Sequence, residues 1–378
     1  MDMVSGKQVA TGPRARGDPP ADAYVAQALG NVAPGRHVQW LKKQVSTLRE
    51  DGAVPKWAKP WMHGSDPSPP GLDADRLAAG QGVFNDWCLL ISICLFCGSL
   101  PKAYAAKDGV QVLARMSQLN QANAVGTRIG NTGRMLLEIT ALEGLADGAP
   151  GRKRLRRVRL LHATARALVE LNQQPIAWSS RHYGVPINQE DQFGTLLSFS
   201  LTVVDALRAM GIKVSPREEE DYLYLWSVVG WHLGTEAPGR LQLPARARVL
   251  QDALEKKVFG HTSEGVRLMA LLLDDMRGTM PRVLAGMPEA LVERLAGPRV
   301  AKDLDVQASR TWRILLAALA TLCRVVMSVP GGKTVLTFPS RRWGRKLISG
   351  SGDARRLSER RRTPGPRAAA SRPLHATR

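Results

Sequence analysis

Gly151–Asn172 reads GRKRLRRVRLLHATARALVELN. Six of the eight residues from Arg152 to Arg159 are Lys or Arg. At helical spacing Leu155, Val158, His162, Ala165 and Val169 fall in one row, apolar except for His162. The pattern predicts a helix with a cationic face turned outward and one imidazole turned inward. A buried imidazole needs a hydrogen-bond partner, a catalytic neighbour or a metal. A core histidine with an ordinary hydrogen-bond partner is the plainest of these outcomes.

The same period recurs on both sides of this segment. Helical patterns begin near Ala21, run from His37 to Arg49, and resume from Asp73 to Cys97, where Gly98 and Pro101 are expected to stop the helix. Further helices are predicted at 109–119, 126–145, 153–173, 189–210, 216–233, 244–257, 263–277, 288–296 and 308–328. A Pro-, Gly- and Trp-rich connector, VPKWAKPWMHGSDPSPPG, precedes Leu72. Sustained period-2 alternation with turn signals is missing, so the chain reads as all-α. Ser215-Pro216-Arg217-Glu218 is a capping box with Pro at the first helical position. The acids Glu218, Glu219, Glu220 and Asp221 then sit at the positive end of the helix dipole, which explains them without a catalytic role. One helical body over residues 21–330 is expected, with unstructured residues 1–20 before it and a basic, largely disordered tail over 331–378. Thr334–Phe338 is the last apolar stretch that could be ordered.

The formal net charge is +20 over 378 residues, and hydrophobic residues make up 44%. Residues 341–378 hold 12 Lys or Arg against Asp353 and Glu359, half of the whole excess. A basic tail and a basic helix together suggest, as an alternative function, binding to nucleic acid or an anionic surface. Aromatic residues are only 5% and no groove-reading motif is present, so specific nucleic-acid recognition is not expected. Cys88, Cys94 and Cys97 lie in one apolar segment and, with Cys323, read as reduced thiols. Cys94 and Cys97 form a CxxC without the further ligands that zinc requires. Residues 1–20 carry no apolar signal-peptide core, and Trp87–Leu100 is read as too short to span a bilayer. The expectation is therefore a cytoplasmic protein.

Pro330-Gly331-Gly332-Lys333-Thr334 ends like a phosphate-binding loop, but Met327 stands where the first Gly is required and a helix precedes it where a strand is needed. GxSxG, HExxH and GxGxxG do not occur. The seven histidines, residues 37, 63, 162, 182, 232, 261 and 375, never pair at i,i+4, so no single helix offers a multi-histidine site. A haem needs only one or two axial ligands and a dry pocket between helices, and an inward His162 is compatible with that. Arg128 and Thr132 are i and i+4 and share one helix face, where they can line a pocket and donate hydrogen bonds. Their ordinary roles would be a surface ion pair and a helix-packing hydroxyl, the latter serving Thr195 as well.

The segments RVRLLHATARALV, HYGVPINQEDQFGTLLSFS and EEEDYLYLWSVVGWHLG resemble the latex clearing protein (rubber oxygenase) family. Its superfamily includes the fungal endoplasmic-reticulum-bound oxygenase of mycophenolic acid biosynthesis. DPPADAYVAQALG, EGVRLMALLLDDMRGTMP and LVERLAGPRVAKDLDV fit the same pattern, so the resemblance covers about residues 18–330. It implies a globin-like helical core binding b-type haem. His162, in the position of the family's VRLLHA-type motif, would be the proximal iron ligand. Arg128 and Thr132 match the family's Arg and Thr on the preceding helix, while Asn131 stands where the rubber-cleaving enzymes carry a lysine able to occupy the distal iron position. An amide ligates iron poorly, so an open or water-bound distal face is implied. Thr195 matches a later threonine, and Leu197 replaces the family's histidine two residues on. The family's proposed acid base has no match by this reading.

The resemblance thus implies a haem-dependent oxygenase using dioxygen on a hydrophobic, olefinic or isoprenoid-like small molecule. A non-catalytic family member that binds haem or lipid is a further alternative.

Overall fold

Ser215 starts its helix as the sequence requires. Its Oγ accepts from the Glu218 backbone N–H at 3.2 Å, and the Glu218 carboxylate accepts the Ser215 N–H at 2.9 Å. The resulting helix, Pro216–His232, buries Tyr222, Leu225, Trp226 and Val229 in the main core. The acids that open it do more than start a helix. Glu219 takes Arg208 and Arg248 at 2.6 and 2.5 Å, and Asp221 takes Arg76 and Arg217 at 3.1 and 2.8 Å, tying three neighbouring helices to this one. Ala74–Asp86 crosses it so closely that a Cβ on Gly80 would lie 2.2 Å from the Asp221 carbonyl oxygen.

The computed structural model describes residues 12–49, 53–118, 124–172 and 177–341, and side chains in these except at 117–118, 124–129 and 279. The described residues are helices joined by turns, with no strand, only an isolated bridge between Ala106 and Phe259. The chain is all-helical as expected, but several boundaries differ. The predicted helix 189–210 is two, Gln189–Phe199 and Leu201–Ala209, broken at Ser200 where φ is −106° and ψ is −86°. The predicted helix from Asp73 does not stop at Gly98. It turns at Trp87, continues as Cys88–Cys94, widens into a π-helical turn at Leu95–Ser99, and runs on through Leu100–Ala105. Pro101 is tolerated because it lies in the first turn of a new α-helical segment, where its missing N–H is not needed. Cys88–Ala105 is long and apolar enough to cross a membrane by length and composition, yet Cys88, Ile91, Cys94, Cys97 and Tyr104 are fully buried in the core. Burial pushes the Cys94 and Cys97 thiols well up, the latter to about 12, so both stay protonated.

The described helical body starts earlier and ends later than predicted. Residues 12–20, expected to be unstructured, form a short 3-10 turn, Gly12–Ala15, and the start of the helix Pro19–Leu29. Charge rather than apolar surface holds them. Arg14 is buried against Asp108 (2.7 Å), Glu190 (3.2 Å) and the Tyr183 carbonyl (2.8 Å); Arg16 pairs with Glu236 at 2.6 Å; Asp18 receives Arg159 at 2.5 Å. At the other end residues 332–341, expected to belong to the tail, form a helix with Gly332, Thr337 and Ser340 turned inward. Residues 1–11 and 342–378 lie outside the described residues.

Pro150–Leu171 runs between two hydrophobic cores. Leu155 belongs to the larger one, whereas Leu160, Ala163, Ala165, Leu168 and Val169 belong to a second, built with Val25, Leu41, Val45 and Leu48 from the N-terminal helices. With neighbours on both sides, the helix has no solvated cationic face, contrary to expectation. Arg152, Arg156, Arg157 and Arg166 are buried. Arg152 meets Asp66 at 3.2 Å; Arg154 meets Glu138 at 2.8 Å; Arg166 meets Asp22 at 2.8 Å and the Ile187 carbonyl at 2.6 Å. Arg157 donates to the Leu48 and Thr47 carbonyls, both at 2.8 Å, and Arg156 to those of Ser65 and Trp61. The guanidinium fork satisfies carbonyls that end other helices and turns. These arginines are structural fasteners, and the nucleic-acid or anionic-surface alternative loses the basic helix as its footing.

Candidate active site

The helices around His162 enclose a cavity of about 530 Å³, within the range of cofactor and small-molecule sites. Its walls come from many elements: Leu48 from His37–Arg49, Leu95 and Phe96 from the π-helical turn, Leu113 and Met116 from Gly109–Gln118, Leu136 from Ala124–Ile139, and Leu254 from Pro244–Val258. The π turn re-aims its side chains relative to an α-helix, a device common at functional sites. Nothing in the periodicity of the sequence announced it.

His162 lines this cavity. Its Nδ1 is buried and has no hydrogen-bond partner. Burial, assisted by the positive charge of Arg166, lowers its pKa to about 4, so the ring is neutral at physiological pH. Its partial exposure is exposure to the cavity rather than to bulk water. The ordinary core histidine, satisfied by a neighbour, is therefore not what the fold builds. A neutral imidazole with an uncommitted nitrogen on an apolar wall has the chemistry of a metal ligand. Among the described residues no three His, Cys, Asp or Glu side chains converge as a metal site. A metal that carried its other donors in an organic macrocycle would need only this one side chain, and the residues present fit such a group.

Asn131, Thr132 and Thr195, on two other helices, line the same cavity. Asn131 has its amide committed: Nδ2 donates to the Arg49 carbonyl at 2.7 Å, and Oδ1 accepts from Arg134 at 2.9 Å. It closes the wall rather than reaching into the space. Thr195 Oγ1 donates to the Asp191 carbonyl at 2.8 Å, a back-bond along its own helix, and keeps its lone pairs for a further donor. Leu197 is buried beside it and also borders the cavity. Arg128 lies in Ala124–Ile139, one turn before Thr132, but its side chain falls outside the described residues. Arg154 and Arg157 also line it, their guanidinium groups held by Glu138 and by the Leu48 and Thr47 carbonyls.

An acid not singled out in the sequence stands in the same cavity. Asp191 borders it, with Oδ2 accepting from Asn188 Nδ2 at 2.9 Å. Burial raises its carboxyl to about 7; the nearby Arg14 opposes this, and Glu190 reinforces it. Its neighbour Glu190 also borders the cavity but is held by Arg14 at 3.2 Å and Lys257 at 2.5 Å. In sequence both look like helix-starting acids after the Asn188 N-cap, which they also are. Only the cavity distinguishes Asp191.

Comparison with known proteins agrees with this architecture. The family described as "ER-bound oxygenase mpaB/B'/Rubber oxygenase, catalytic domain" matches residues 95–325. A rubber oxygenase from Streptomyces sp. (strain K30) is 28% identical over 170 residues, 44% of this chain; the match spans 39% of that relative's length. The structure of the latex clearing protein LCP in its closed state superposes with a TM-score of 0.58 at 18% identity, covering 89% of this chain and 91% of that one. That likeness shows the fold, while the family match extends over more than half of the chain and includes the helices that carry Asn131, Thr132, His162 and Asp191. The chain belongs to the mpaB/rubber oxygenase catalytic-domain family.

Proposed function

We propose that this protein is a haem b-dependent oxygenase that uses dioxygen on a hydrophobic, olefinic or isoprenoid-like small molecule, with His162 as the protein's ligand to iron. The observation that carries this is the neutral imidazole of His162, its buried Nδ1 without a hydrogen bond, on the wall of an apolar cavity in a chain of an oxygenase family. Haem, when bound, would supply the redox chemistry with dioxygen. The protein's own share is orientation, dryness and proton handling. Leu95, Phe96, Leu113, Met116 and Leu254 exclude water and hold an apolar substrate. Thr132 presents a hydroxyl from the helix facing His162, and Arg128 lies one turn before it. Arg157 on the wall suits an anionic edge of the bound group. Asn131, tied to Arg49 and Arg134, stands at the position where rubber-cleaving relatives would carry a lysine and brings no amine of its own. Asp191, whose carboxyl changes charge near neutral pH, can take or return a proton through Oδ1, the oxygen not held by Asn188.

Purified protein is expected to show a Soret band, and His162→Ala to lose it while retaining the helical circular dichroism of the parent. Stoichiometric haem retained by His162→Ala would sink the assignment. Oxygen uptake across a panel of terpenoids and unsaturated lipids separates turnover from mere binding: no uptake with any of them, in haem-loaded protein, favours the non-catalytic alternative.

A further inference from the structure

Eight of the fifteen exposed large hydrophobic residues among those described fall between residues 314 and 338. Six belong to Arg310–Val326 and the turn after it: Ile314, Leu315, Leu319, Leu322, Val325 and Val329, each between 50 and 59% exposed. Val335 and Phe338 in the helix 332–341 are more exposed still, at 65 and 66%.

The helical wheel separates these residues into three arcs. Trp312, Leu316, Ala320, Cys323 and Met327 form a narrow stripe turned toward the protein. That stripe sits on the turn at Gly211, where φ is +90° and a Cβ would lie 2.0 Å from the Ala320 carbonyl oxygen. At about 100° per residue, the six exposed apolar side chains cover an arc of roughly 140° on the far side. Arg310, Arg313 and Arg324 fill the remaining arc beside it. Arg313 pairs with Glu293 at 2.8 Å, whereas Arg310 and Arg324 form no ion pair among the described residues. The chain then continues into residues 342–378, with eleven Lys or Arg against Asp353 and Glu359.

We propose that Arg310–Val326 and the helix 332–341 form a docking face for an anionic lipid surface, with the apolar arc entering the headgroup–acyl boundary and Arg310 and Arg324 meeting lipid phosphate and carboxylate. Charge decides the occupant. A broad apolar arc on one helix flanked by arginine is the pattern of interfacial helices, and the polybasic stretch that follows adds attraction to acidic lipid within a Debye length. A second copy of this chain, by contrast, would place the same excess of positive charge against itself across a two-fold axis.

The test is co-sedimentation of the full chain with phosphatidylcholine vesicles, with and without phosphatidylserine. Binding is expected only, or roughly tenfold more tightly, with phosphatidylserine, and to weaken with salt. Leu319→Ser/Leu322→Ser is expected to lose roughly tenfold or more of that binding. Both side chains are exposed, so the melting temperature serves as the control for folding and should not move. Equal binding to both vesicle types, or no binding to either, overturns the proposal. So does a dimer by light scattering that the double variant abolishes, which would assign the face to a second copy. Salt-dependent binding to duplex DNA, unchanged in the double variant and without vesicle binding, would assign the charge to nucleic acid. Partition is read on sedimented protein without regard to haem, so either result leaves the proposed oxygenase chemistry to its own spectrum.

Discussion

Pro150–Leu171 and Arg310–Val326 are both arginine-bearing amphipathic helices, and they dispose of their charge in opposite ways. In the first, Arg152, Arg154, Arg159 and Arg166 end on Asp66, Glu138, Asp18 and Asp22, and Arg156 and Arg157 on backbone carbonyls. In the second, Arg310 and Arg324 are exposed beside an apolar arc that no described residue covers. The residue type is the same, and so is the helical period. The difference lies in what the rest of the chain brings alongside: the N-terminal helices and the connector before Leu72 enclose the first helix, while the second touches the body along one stripe. A run of arginines is therefore not by itself a binding surface, and an arginine beside exposed leucine is closer to one.

The comparison breaks most easily at Arg166. Its side chain is 3% exposed and serves Asp22 and the carbonyls of Pro186 and Ile187. Arg166→Ala strands these acceptors in a buried site and is expected to cost about 3 kcal/mol or more in urea unfolding; a loss within 0.5 kcal/mol would mean that the pairing does not hold this helix. Gly211→Ala attacks the seat of the other helix. It puts a methyl group against the Ala320 carbonyl at a positive φ, with an expected cost above about 1 kcal/mol and faster proteolysis near residues 310–326. A neutral outcome would show that the narrow stripe seats elsewhere.

Asp191 supplies a third case, a buried acid with an amide for its partner instead of a cation. Its native carboxyl at about 7 lies above the usual range near 4, so the folded state keeps a proton that the unfolded chain gives up. Its contribution makes stability fall as pH rises from about 4 to about 7 and level off above. Asp191→Asn is expected to remove that slope from a plot of melting temperature against pH; an unchanged slope would place the titration on another group. The smallest effect belongs to Arg324→Ala, which is exposed and unpaired among the described residues: a change in stability within about 0.5 kcal/mol, with weaker vesicle binding as its only signature.

Local rules carried much of this architecture. The capping box at Ser215 and the apolar periods of the helices were readable because they depend on residues three or four apart. Contacts across long separations were not. Arg159 and Asp18 are 141 residues apart, and Arg166 and Asp22 are 144 apart, so a run of basic residues looked solvated when it is buried. The break at Ser200 was hidden because apolar residues continue through it, and Gly98-Ser99-Leu100-Pro101 looked like a stop because a π turn has no sequence period of its own. Within the site, His162 was visible as one polar residue in an apolar row. Asn131, Thr132 and Thr195 were connected to it by family resemblance alone, and the structure brings all four to one cavity. Asp191 was indistinguishable from an acid that starts a helix.

The segment Gly12–Asp18 has a consequence for how the protein is made. Arg14 reaches Asp108 and Glu190, Arg16 reaches Glu236, and Asp18 reaches Arg159. During synthesis these residues leave the ribosome long before their partners exist. They are translated before every one of these partners and are fully seated only after the last of them. Closure of the acidic end of the cavity, where Arg14 holds Glu190 beside Asp191, must therefore wait until the chain has been extended past Glu190, and the whole strap is seated only after Glu236, a late checkpoint on assembly.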